Sequence, residues 1–377
     1  MNTKVPTPLL GGLSPEVFMR RYWQKKPLLI RGAIPDFVPL LDRRALLDLA
    51  AQQGVESRLV VQPRPGGDAP WRFRHGPFTR SMLPPFKQGG WTLLVQGVDL
   101  HLERAHALLA QFRFVPDARL DDLMVSYATD GGGVGPHFDS YDVFLLQASG
   151  QRRWRIGPQK NLSLVPGAPL KILAHFEPEQ EFVLNPGDML YLPPKYAHDG
   201  VAQGECMTYS VGFRSPGKAE LAREMLQRMA EQLFDAPETS RYRDPRQPAV
   251  AQSGAIPAPL AAFAQKALLE TLGDTAAMQR ALGEYLTEPK AQVWFDGQGE
   301  FSVGDVSLDR RTRMMYDEHH VFINGESFES AGRDARLMRT LADDRVLGIK
   351  GCRQLSGSAQ EVVARWCEAG WVHVGAR

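Results

Sequence analysis

The sequence predicts a mainly β protein with α additions: a barrel or sandwich of short strands, then a helical region, then a small α+β domain. Three textures carry that reading. Up to about residue 216 the chain is rich in Gly and Pro and broken into short β-prone runs. From 217 to about 284 apolar residues recur at three- and four-residue intervals, and from 285 to 377 hairpin-like and helical patterns mix. The expected domains are therefore residues 1–216, 217–284 and 285–377, in keeping with a prior of roughly 150 residues per domain.

In the first domain the strand candidates are residues 91–96 (WTLLVQ), 123–129, 143–147, 154–156 and 189–192. In the second, KAELAREMLQRMAEQLF and PAPLAAFAQKALLETLG read as amphipathic helices. Leu221, Met225, Met229 and Leu233 share one face, and Pro257 and Pro259 mark the start of the next helix. Such a stripe usually packs within its own chain. In the third, AQVWFDGQGEFSV and HHVFINGESF each place Gly at a turn, with helical patterns at 334–342 and 359–369. That arrangement is winged-helix-like. Asp305, Asp309, Asp317, Glu318, Glu326, Glu329, Asp343 and Asp344 deny it a basic face, so a structural or protein-contacting role is expected and direct DNA binding is not.

Composition narrows the class further. Hydrophobic residues at 43% and charged residues at 23% describe an ordinary globular chain. A net charge of +1, from 44 basic and 43 acidic residues, gives no global field to draw in nucleic acid or an anionic membrane. Cys206, Cys352 and Cys367 are too scattered for a disulfide framework and read as buried thiols in a reducing compartment. The start MNTKVPTPLLGG has no apolar stretch behind a basic end, and no run approaches eighteen apolar residues. A cytoplasmic protein is expected.

Chemistry concentrates in GGGVGPHFDSYDVFLL, residues 131–146. His137 and Asp139 stand two apart, which on an extended backbone turns both side chains to one face. A third ligand should come from a later strand of the same barrel, and PGDMLYLPPKYAH supplies His198 after a turn, a strand and two prolines. Two imidazoles and one carboxylate leave metal positions open, as in non-haem iron(II) oxygenases; closed structural zinc sites do not. An isolated HxD is usually a solvated loop pair, and an isolated His198 would read as an exposed loop residue. The Gly-rich lead-in and the downstream PGD, strand and PP outweigh that reading. His175 lacks the preceding turn and strand, while the adjacent His319 and His320 would point oppositely on a strand. His75, His101, His106 and His373 have no ligand-like neighbours.

A 2-oxo acid co-substrate needs a cation for its distal carboxylate. QRRWRIG, residues 151–157, is read as opening the strand after the HxD strand. Alternation with Trp154 and Ile156 turns Arg152 inward and Arg153 and Arg155 outward. An inward guanidinium is costly without an anionic partner, which suggests a bound carboxylate; without the motif around it, an Arg snorkelling from the rim would serve as well.

Taken together, YWQKKPLLIRGA, DDLMVSYATDGGGVGPHFDSYDVFLLQ, RRWRIG, PGDMLYLPP and TYSVGFRSP resemble, in order and from end to end, the bacterial JmjC-type ribosomal oxygenases of the cupin class. The resemblance implies a double-stranded β-helix catalytic domain, a helical dimerisation region giving a homodimer, and a winged-helix-like carboxy-terminal domain. It implies Fe(II), 2-oxoglutarate and dioxygen, with metal ligands His137, Asp139 and His198, and with Arg152 and, as a weaker candidate, Ser126 on 2-oxoglutarate. It also implies a substrate: an arginine of large-subunit ribosomal protein number sixteen, hydroxylated at its β-carbon. Asp122 would meet the guanidinium, Met124 and Tyr141 would bracket its stem, and Ser210 would lie close by. Met124 and Tyr141 would serve equally as barrel core, and Ser126 as a strand hydroxyl with a local backbone partner. One departure is plain: a member of the family has Asn-Tyr-Ser where this chain has Thr208-Tyr209-Ser210. Other members hydroxylate histidine. A non-redox zinc or manganese cupin on the same ligands is the reading from another class, and it would not need Arg152. A ribosome-binding or transcriptional module acting through the last domain would need a basic cluster that the sequence lacks.

Overall fold

The structure is a computed structural model that describes residues 2–63, 70–235, 240–297 and 303–375, with the backbone alone at Asp235. It divides into two compact units between Ser215 and Pro216.

The first unit opens with α1 (Pro15–Arg21), started by Ser14, whose hydroxyl accepts from Val17 N at 3.3 Å, and by Pro15 in the first turn. There follow β1 (Leu28–Ile30), α2 (Arg43–Ala50) capped by Asp42, β2 (Ser57–Val61), β3 (Arg72–His75), β4 (Trp91–Val95) and α3 (Glu103–Ala110). Then come β5 (Leu120–Ala128), β6 (Val143–Gly157), β7 (Gln180–Leu184), β8 (Met189–Leu192) and β9 (Ala197–Phe213). These strands make one antiparallel sheet in the order β1-β8-β6-β9-β5-β4-β2-β3, with β7 on β6. Its apolar side is filled by Phe18, Phe112, Phe144, Tyr191 and Phe213, with ring centroids 4.9 Å apart for Phe18–Tyr191 and for Phe112–Phe144.

One expectation is corrected here. Residues 143–147 and 151–157 are not separate strands but parts of β6. Its register against β9 shifts between Gln147 and Ser149 and again between Ser149 and Gln151. The reason is that Gly150, at φ 62°, lets the backbone bulge without ending the ladder.

The second unit begins with α4 (Lys218–Gln232), α5 (Ala258–Gly273) and α6 (Thr275–Thr287). Helix α4 packs on α6, with Met229 buried and Tyr285 donating to Glu220 at 2.7 Å, but Leu233 at the end of its stripe is 52% exposed. Helix α5, part of the segment expected to serve dimerisation, buries none of its residues within the chain. Beyond it lie β10 (Val306–Leu308), β11 (Met314–Tyr316), β12 (His320–Ile323), β13 (Glu326–Glu329), α7 (Gly332–Asp344), β14 (Val346–Leu347), α8 (Ile349–Cys352), α9 (Gly357–Glu368) and β15 (Val372–Val374). They build two three-stranded sheets, β14-β10-β15 and β11-β12-β13. The β12–β13 hairpin turns on Asn324 and Gly325, both at positive φ, the pairing a tight hairpin needs.

The other expected hairpin is absent where it is described. Residues 291–297 carry no strand, and 298–302 lie outside the described residues. There Arg311 Nη1 takes the Trp294 carbonyl at 2.6 Å and Phe295 packs edge-on against Trp371, so the segment is held by side chains instead of a ladder. The three cysteines are free and buried. Among the described residues no helix is long and apolar enough to cross a membrane.

Candidate active site

His137 lies in an extended segment just ahead of β6, and His198 is the second residue of β9. They are joined backbone to backbone, His137 N to His198 O at 3.0 Å and His198 N to His137 O at 2.8 Å. The turn before β9 closes the same corner, with Lys195 N donating to the Asp139 carbonyl at 2.7 Å. Gly135, at φ 79°, brings the backbone under Trp71, where a Cβ would stand 2.9 Å from the indole ring. Only glycine fits that approach.

His137, Asp139 and His198 can each offer a ligand atom, all within 4.8 Å of one another, and they are the one such cluster among the described residues. Each imidazole is steered by its other nitrogen: His137 Nδ1 donates to Gly135 O at 2.9 Å and His198 Nδ1 to Tyr196 O at 3.0 Å. In those tautomers each Nε2 keeps its lone pair for a metal, and Asp139 Oδ2 lies 3.7 Å from His198 Nε2. Burial and the neighbouring His137 push His198 down to about 4, so it is neutral, the form a metal requires. Two imidazoles, one carboxylate and vacant positions suit Fe(II). His175, the alternative third ligand, is exposed.

The cluster opens on a cavity of about 320 Å³. Arg152, 4% exposed, lines it. Its Nη1 donates to Ser126 Oγ at 3.0 Å and Thr208 Oγ1 at 3.2 Å, both neutral hydroxyls, while its Nε has no partner. Burial lowers the guanidinium's affinity for its proton, with only the weaker fields of Cys206 and Asp199 opposing. A cation kept this dry beside hydroxyls fits a carboxylate ligand. Arg153 and Arg155 are less buried, and Arg155 pairs with Asp199 at 2.6 Å.

Asp122, Met124, Tyr141 and Ser210 also line the cavity. Asp122 Oδ2 accepts from Gly97 N at 2.9 Å and Gln96 Nε2 at 3.1 Å. Met124 Sδ receives Arg58 Nη2 at 4.0 Å. Tyr141, 38% exposed, stands at the mouth with its hydroxyl pushed up by burial and by Asp139 and Asp122, so it stays protonated. Sequence reasoning missed Arg58, Gln96, Asp121 and Gln147. Strand alternation would send Asp121 away from Asp122, yet the register of β5 against β9 shifts between Leu120 and Leu123, and both carboxylates line the cavity. Gln147 is in phase with Val143 and Leu145, ahead of the first register shift in β6, but nothing local in the sequence marks a role for it or for Asp121.

The chain is similar to several known proteins. The JmjC domain matches residues 107–221 and the ROXA-like winged helix residues 268–373, beginning inside the segment read as purely helical. The ribosomal protein uL16 3-hydroxylase of Escherichia coli is 34% identical over 336 residues, covering 84% of this chain and 86% of that protein. A probable ribosomal oxygenase of Haemophilus influenzae is 28% identical over 393 residues, 95% and 96% of the two chains. The crystal structure of E. coli YcfD superposes with a TM-score of 0.82 at 28% identity over 96% of this chain and 98% of its own. YcfD in complex with cobalt and 2-oxoglutarate superposes with 0.79 at the same identity and coverage.

Proposed function

The chain belongs to the JmjC-type bacterial ribosomal oxygenases, and from that premise we propose that its substrate is an arginine side chain of large-subunit ribosomal protein uL16, hydroxylated at the β-carbon. It is a 2-oxoglutarate-dependent hydroxylase of cupin-type fold with a winged-helix carboxy-terminal domain, working with iron and dioxygen. The observation that carries the substrate reading is the cavity's lining: with the metal cluster it brings together a buried cation, two carboxylates, a thioether and a phenol.

In this reading His137, Asp139 and His198 hold Fe(II), and Arg152 with Ser126 receives the distal carboxylate of 2-oxoglutarate. When bound, iron and co-substrate supply the oxidising power by coupling decarboxylation to hydroxylation. The protein's own part is placement. The Nδ1 hydrogen bonds of both histidines fix their rings, and the Lys195 amide fixes the Asp139 loop. Asp122, already held by Gly97 and Gln96, meets the substrate guanidinium with little reorganisation. Met124 and Tyr141 flank its stem, and Ser210 lines the wall between. Tyr141, kept protonated, donates without adding charge. A homodimer joined through α5 and a cytoplasmic setting, without direct DNA or membrane binding, complete the reading. Incubating the enzyme with uL16, Fe(II) and 2-oxoglutarate and locating the added oxygen by fragment mass spectrometry tests it. Oxygen on an arginine β-carbon is expected, and oxygen on histidine, or none, would overturn the substrate assignment.

A further inference from the structure

Gln147 sits at the bulge of β6 and is fully buried. Its Nε2 donates to two backbone carbonyls, Ser149 O at 2.9 Å and Gly150 O at 3.3 Å. Carbonyls only accept, so the amide cannot flip, and Oε1 is fixed as an acceptor. Thr208 Oγ1 lies 3.0 Å from that Oε1, so the threonine hydroxyl must donate to it. Only lone pairs of Thr208 then remain for Arg152. The proton of Ser126 is likewise committed, to the Thr208 carbonyl at 3.3 Å.

Both hydrogens of Arg152 Nη1 are consequently taken, by Ser126 at 3.0 Å and Thr208 at 3.2 Å. No hydrogen bond within the protein engages Nε or Nη2 among the described residues. A guanidinium binds a carboxylate two-pronged along one edge, and the edge left over is Nε–Nη2. We infer that Gln147 is a positioning residue for the co-substrate: through Thr208 it holds Nη1 of Arg152 and so presents the Nε–Nη2 edge to the distal carboxylate. This rests on the assignment of Arg152 to 2-oxoglutarate. It also gives Thr208 a definite job, because a hydroxyl that donates to Gln147 can still accept from Arg152.

The test is calorimetric binding of 2-oxoglutarate, and separately of 2-oxobutyrate, to the full-length protein loaded with Mn(II). The variants are Gln147→Leu, Thr208→Val, Thr208→Ser and Arg152→Gln. Loosening one bond to a buried charge should weaken 2-oxoglutarate about ten- to a hundredfold in Gln147→Leu and Thr208→Val. 2-Oxobutyrate, which has no distal carboxylate, should bind as to the wild type, and Thr208→Ser should behave as the wild type with both ligands. Wild-type 2-oxoglutarate affinity in Gln147→Leu and Thr208→Val, or equal loss of both ligands, would overturn the inference. If Arg152→Gln itself binds 2-oxoglutarate normally, the underlying co-substrate assignment has failed instead.

Discussion

A buried, neutral His198 has a consequence away from catalysis. Its proton affinity is lowered to about 4 in the folded chain, against roughly 6.5 when unfolded. Between those values the unfolded chain takes up a proton that the folded one refuses, so stability falls as pH drops from about 6.5 toward 4 and is unaffected by this group above that range. Metal-free protein melted across that window should lose stability, and His198→Gln should flatten the loss; an unchanged pH profile would mean that His198 is charged in the fold. Lys195, whose amide holds Asp139, adopts φ 63°, where a side chain is strained. Because Lys195 is exposed, Lys195→Gly should keep the turn and change stability by at most about 1 kcal/mol, in the stabilising direction, measured by thermal or urea unfolding. The ligand cluster was legible at this scale because its spacing and flanking turns are local. Asp121 was not, since strand alternation assigns faces correctly only where a strand has no bulge, and Gln147 was not, since its partners are Thr208 and the carbonyls of the bulge.

Among elements, α5 stands apart because it buries nothing and leaves Leu260, Leu268 and Leu269 exposed. A second copy of the chain would cover that surface. Leu268→Glu with Leu269→Glu should therefore turn a dimer into a monomer in light scattering without unfolding the protein; a wild-type monomer, or an unaltered dimer in the variant, would remove α5 from the interface. In the second unit the connection after β10 is tied to β15 by Asp309, 1% exposed, which accepts from Arg311 Nε and His373 Nε2, each at 2.9 Å. Burial alone would raise this carboxyl, but those two partners outweigh it and hold it well below the usual range. Its stabilisation is present above about pH 4 and fades as pH falls through the depressed value. Asp309→Asn should cost roughly 3 kcal/mol near neutrality and nearly nothing in strong acid, read by calorimetry. The helices of this unit were visible in three- and four-residue periodicity, but whether a stripe meets core or solvent was not. The hairpin at Asn324-Gly325 was visible because its turn chemistry is local, whereas residues 291–297 are held by Arg311 and Trp371, distant in sequence.

For the whole molecule, composition and texture were enough to expect a β-rich region followed by helical and α+β parts. The resemblance of ordered motifs supplied the cupin class that short runs alone left open. What no window of sequence carries is long-range pairing: β1 lies against β8, and β9 between β6 and β5, although these partners are far apart along the chain. Those pairings bring Arg58, Thr208 and Arg152 to one cavity with His137 and His198. The account therefore stands on one site that needs iron, its three ligands and a distal arginine together. Anaerobic titration of Fe(II)-loaded protein with 2-oxoglutarate, followed by the weak visible charge-transfer band, tests this most directly. The band should form in the wild type, and fail in Asp139→Ala and, at the same concentrations, in Arg152→Ala. A wild-type protein that holds iron yet gives no band would contradict the account.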